Sequence, residues 1–150
     1  MRKAIFLLTL FCATLSAANF SGEWKLDPAK SDFGPAPAPE LMTRSIKQTL
    51  PAVEISTHQK GAAGESTTQL KYTLDGKESV NKLPTGESKG TAKLDGDHMV
   101  IDSTRDYQGA TITVKETWSL SEGGKVLTIV NHLSVPGQGE FDAKLIFNKQ

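Results

Sequence analysis

The chain has 150 residues, enough for one domain, and its 17 Lys and Arg balance its 17 Asp and Glu. No run of Lys and Arg stands out, which argues against a nucleic-acid partner, a class that needs a basic patch. The one cysteine, Cys12, excludes an internal disulfide.

Residues 1–18 read as a secretory signal peptide. Arg2 and Lys3 give a basic start, Ala4 to Leu15 is almost continuously apolar, and Ser16-Ala17-Ala18 supplies small residues before a cleavage point at Asn19. The apolar run is shorter than the ~20 residues of a membrane-spanning helix, so no stable membrane anchor is expected after cleavage. Phe11, which precedes Cys12, is too large for a lipoprotein site, so Cys12 leaves with the leader. The domain at 19–150 then has no thiolate nucleophile and no cysteine metal ligand, and an apolar core must hold it. Its expected location is the periplasm or the extracellular medium.

From Asn19 onward the apolar residues alternate with polar ones and show no helical spacing. This predicts strands at 20–26, 42–49, 52–59, 67–74, 77–82, 88–94, 98–107, 110–120, 124–134 and 139–148. Ile112, Val114, Glu116, Trp118 and Leu120 share one face, and Phe141, Ala143, Leu145 and Phe147 repeat the pattern near the C-terminus. Asp75-Gly76, Asp95-Gly96 and Glu122-Gly123-Gly124 each sit between alternating runs, which predicts three hairpins of similar design. Short links between sequential strands imply an all-β, antiparallel up-and-down meander of about 8–10 strands. A meander with one apolar face avoids exposed edges by closing into a barrel. The exception is residues 28–40, where Pro28, Pro35, Pro37 and Pro39 exclude a central strand or regular helix. That loop either crosses a barrel mouth or lies on the surface with Phe33 tucked in.

The opening Phe20-Ser21-Gly22-Glu23-Trp24-Lys25-Leu26 resembles the Gly-x-Trp signature of the lipocalin and fatty-acid-binding-protein (calycin) superfamily, closest to its fatty-acid-binding branch. Bacterial exported lipocalin-like proteins look similar over the whole domain. The resemblance implies a calycin-like barrel that holds a small ligand. On it, Trp24 plugs the closed end with a large apolar surface and Gly22 lets another backbone approach. Two departures stand out. The proline-rich loop occupies the place of the family's two short helices. The family's carboxylate-binding Arg-x-Tyr of the last strand is missing, since Glu140 to Phe147 has no arginine; Arg105-Asp106-Tyr107 has the spacing but lies on an earlier strand.

Polar residues on apolar faces are the candidates for a site, because a buried charge is costly unless paired. Glu116 lies between Val114 and Trp118, Arg44 shares a face with Met42, Ile46 and Gln48, Arg105 and Tyr107 share one with Met99, Ile101 and Ser103, and Asn131 lies between Ile129 and Leu133. In a hollow barrel these residues, with Tyr72, would line a cavity, and an arginine would pair with Glu116 or receive a ligand's acid group. Arg105, nearer a strand end, is expected to be the more exposed arginine. His58, His98 and His132 are too far apart for a zinc motif, and the Asp-Gly turns lack the further acids of a calcium loop, so no metal or organic cofactor is implied. The leading expectation is a barrel binding a small hydrophobic or amphipathic molecule, with or without an acid group, and not an enzyme. The alternative is a structural or interaction protein of the cell envelope with a filled barrel. An enzyme would require Glu116 as a buried acid or base with a raised pKa.

Overall fold

Period-two burial governs the architecture. The computed structural model describes residues 17–150 and holds ten strands: β1 Gly22–Leu26, β2 Leu41–Thr49, β3 Ala52–Gly61, β4 Gly64–Thr73, β5 Ser79–Leu83, β6 Gly86–Asp95, β7 His98–Tyr107, β8 Ala110–Ser121, β9 Val126–Val135 and β10 Gly139–Lys149. All but the last two residues of the expected leader, with Cys12, lie outside the described residues. Among the described residues no helix is long and apolar enough to cross a membrane.

The strands form one antiparallel sheet in the order β4-β3-β2-β1-β10-β9-β8-β7-β6-β5. Short β1 brings the two ends of the chain together, pairing Trp24 with Arg44 on one side and with Lys149 on the other. The meander thus closes into a nearly complete barrel with one seam, between β4 and β5. There the expected hairpin at Asp75-Gly76 does not form. Asp75 pairs instead with Lys93 of β6, and the Gly76 N–H donates to the Ala92 carbonyl, so the chain crosses to β6 before β5 begins. Across the seam the Asn81 carboxamide takes the place of a backbone ladder: it accepts from Lys71 N–H at 2.7 Å and donates to Lys71 O at 3.2 Å. The other two expected hairpins are present, with Asp95 opposite His98 and Ser121 opposite Val126.

Inward side chains sort by height. At the end that carries the 49–52, 95–98 and 121–126 connections, Trp24, Trp118, Phe20, Phe147, Met99 and Leu127 are completely buried in one cluster. Each such side chain contributes about 1.5–3 kcal/mol through the water it sheds. The Trp24 Nε1–H donates to Phe20 O at 3.0 Å, and Gln48 clasps the same segment through Phe20 N–H and Ala18 O, so residues 18–20 stopper this end. The expectation that a backbone approaches Gly22 is corrected. A Cβ there would meet the Lys149 stem, 2.7 Å from its Cε, because the ammonium of Lys149 reaches across to lie 5.3 Å from the Trp24 ring centroid.

The proline-rich segment is pinned at both ends. Asp32 pairs with Lys144 of β10, and Glu40 N–H donates to Lys60 O of β3. Between them Phe33 is half-buried against the core while residues 34–38 stay exposed.

Gly90, on the inner face of β6, exists for a close approach. A Cβ there would stand 2.7 Å from the Asp102 carbonyl oxygen and 2.8 Å from Ser103 Cβ. Gly90→Ala is therefore expected to lower stability by about 1–3 kcal/mol, as overpacking does, read as a lower urea midpoint.

Candidate functional site

Above the aromatic cluster the same strands change character. Their inward positions become Thr57 on β3, Thr68 and Tyr72 on β4, Ser88 on β6, Ser103 and Arg105 on β7, Glu116 on β8 and Asn131 on β9. Together with apolar walls that include Leu70, Ile101, Leu133 and Leu145 they enclose a cavity of about 210 Å³. Five residues proposed from sequence meet around it: Arg44, Tyr72, Arg105, Glu116 and Asn131. The sixth, Tyr107, does not join them. It sits at the tip of β7, 49% exposed, one residue before the Gln108-Gly109 turn, where the wall has ended. Gly22 and Trp24 belong to the stoppered end.

The floor of the cavity is ionic. Arg44 Nη1 stands 3.8 Å from Glu116 Oε2, and the guanidinium carbon lies 5.4 Å from the ring centroids of both Trp118 and Phe147. Glu116 Oε2 also accepts the Trp118 Nε1–H at 2.7 Å. The cation is thus flanked by aromatic rings and balanced by one carboxylate, an arrangement that offsets desolvation. Arg44 Nε and Asn131 Oδ1 are buried with no protein partner. Asn131 stands directly opposite Glu116 on the neighbouring strand, so both orphaned atoms border this pair.

The wall formed by β4, β6 and β7 carries hydroxyls. Burial pushes the Tyr72 phenol up to about 12; the nearby Glu116 charge adds to this, while Ser88, Arg44 and Ser103 work against it. Tyr72 therefore stays a neutral donor. Sequence reasoning placed Ser103 on the face of Arg105 without proposing it for the site, and missed Ser88. The available signal was the run of small residues at alternate positions, Ser88, Gly90 and Ala92, which leaves room on the inner face of β6.

The histidines lie away from the cavity. His132 contacts Asp142 at 2.7 Å on the outer wall, and the hydrogen bond to this carboxylate holds its pKa above the usual value. His58 contacts Glu65, and His98 contacts Asp97. Among the described residues no cluster of three or more His, Cys, Asp or Glu is placed to hold a metal ion.

No family model matches the chain, and no curated protein matches it. Solved structures do. An abundant heat soluble (SAHS) protein from Ramazzottius varieornatus superposes with a TM-score of 0.65 at 11% identity, over 91% of this chain and 98% of that one. Zebrafish ileal bile acid-binding protein, in complex with cholic acid, gives 0.59 at 18% identity, over 87% and 98%. A variant of the fluorescent protein UnaG gives 0.57 at 18% identity, over 87% and 96%. These likenesses establish the fold: the chain is a calycin-type, ten-stranded antiparallel barrel.

Two outcomes follow from the floor and the wall. Glu116→Leu strands the Arg44 cation among aromatic rings and should cost about 3 kcal/mol, whereas Arg44→Met combined with Glu116→Leu should recover most of that loss, both read by urea unfolding. For Tyr72 the folded pKa lies above the ~10 of an unfolded tyrosine. Its contribution is complete below that value and is lost as pH rises toward about 12, because the unfolded chain ionises first. The alkaline fall in urea midpoint should be shallower in Tyr72→Phe.

Proposed function

We propose that this protein is an exported carrier whose barrel holds one small, partly apolar molecule bearing an acid group. The supporting observation is the interior itself: a cavity whose walls divide about evenly between apolar side chains and polar ones, the latter including Arg44, Arg105, Tyr72 and Asn131. Apolar walls supply affinity, and a few convergent polar groups fix orientation. The bile acid-binding neighbour, crystallised with cholic acid, uses the same type of barrel. The volume, about 210 Å³, is below the roughly 300–1,000 Å³ of drug-sized sites, so the guest is small. Export rests on the basic, apolar and small-residue segments of residues 1–18.

Native mass spectrometry of the protein purified from its host tests both parts. The expected spectrum shows a chain beginning at Asn19 with a retained small molecule that dissociates on activation. A bare chain that also fails to take up added apolar acids and alcohols would overturn the carrier reading in favour of an envelope interaction protein. A mass that includes residues 1–18 would overturn export.

A further inference from the structure

Of the two arginines in the cavity, only one is committed. Arg44 has its charge balanced by Glu116 and its faces flanked by Trp118 and Phe147. Arg105 lines the same space, is exposed toward the rim, and has no ion-pair partner among the described residues. The ionic side chains lining the cavity are these two and Glu116, which leaves one positive charge unbalanced.

The surroundings of Arg105 are donors. Ser88, 4% exposed, is its direct cross-strand partner on the inner face, a position that holds Cβ atoms about 4.5–5.5 Å apart. Ser103 lies on the same face of β7, one inward position deeper. Tyr72 packs against both serines and keeps its proton. Neighbouring acids on these strands, Glu87, Asp102 and Asp106, alternate to the outer face. Across the cavity Glu116 is already bound by Arg44 and by the Trp118 N–H.

Resting on the carrier reading, we propose that the guest is a monoanion bound head-outward: its carboxylate sits on Arg105, Ser88, Ser103 and Tyr72 near the rim, and its short apolar tail points down onto Trp118. Arg44 does not receive the acid; it forms the floor. A single carboxylate neutralises the surplus charge, whereas a dianion would not be balanced. The tail is bounded by a cavity that holds the equivalent of about seven waters.

Octanoate and octanol, matched in tail and different in head, test this by titration of the tryptophan fluorescence of the purified protein, since Trp118 lines the cavity. Octanoate is expected to bind about tenfold more tightly than octanol, as a charge-assisted bond confers. Arg105→Met should lower octanoate affinity about tenfold, to near that of octanol, and weaken octanol much less. Added salt should narrow the difference between the two ligands in the unmodified protein, because the arginine sits at the wet rim. Equal octanoate affinity in the unmodified protein and Arg105→Met would overturn the head-outward mode while leaving the carrier reading in place. Failure of both ligands to bind would overturn the proposed guest, and together with a bare chain in the native mass spectrum it would overturn the carrier reading as well.

Discussion

The Arg44–Glu116 pair is the boundary on which the interior is organised. Below it the barrel is a dry aromatic core; above it the inward positions turn to hydroxyls, an amide and a second arginine. A cation can occupy that level because two rings and one carboxylate surround it, and the carboxylate is fixed in turn by an indole N–H. Trp118 thus has two jobs: its ring seals the core against Phe20, with centroids 6.0 Å apart, and its nitrogen orients the acid of the floor. Filling and hollowness in this fold are therefore set by a single layer of residues.

Much of this was legible in the sequence because a strand leaves few choices. Once alternation places Val114 and Trp118 inward, Glu116 must follow, and the same parity places Arg44, Tyr72 and Asn131. Strand boundaries fall within a few residues of their expected positions for the same reason. The barrel's closure also follows from the pattern, since a long one-sided meander has no other way to cover its face. Parity fails at strand ends. Tyr107 has the inward phase of Arg105, but the wall stops before it, and period alone does not say where a wall stops.

The seam was not legible, and the donor wall was legible only in part. Asp75-Gly76 has the composition of a hairpin turn, yet the chain leaves toward β6, and the tertiary bridge to Lys93 outweighs local turn chemistry. Asn81 carries no motif; its role as a clasp depends on Lys71 across a gap that sequence does not reveal. Ser88 and Ser103 matter because three strands bring them to Tyr72, and serine is too common in this chain to stand out. Gly22 shows the opposite error: its importance was visible, but its neighbour is a lysine stem and not a backbone.

The union of β1 with β10 has a consequence for how the molecule comes into being. Trp24 meets Lys149, so the ring is completed by contacts that span nearly the whole polypeptide. Such a topology has high contact order, and it folds slowly because distant segments must find one another before the reward arrives. A nascent chain lacking its final strand leaves one edge of β1 and one edge of β9 without a partner. The barrel therefore acquires its closed form only once β10 is in place to bridge β1 and β9, which makes the C-terminal strand the fastener of the whole wall.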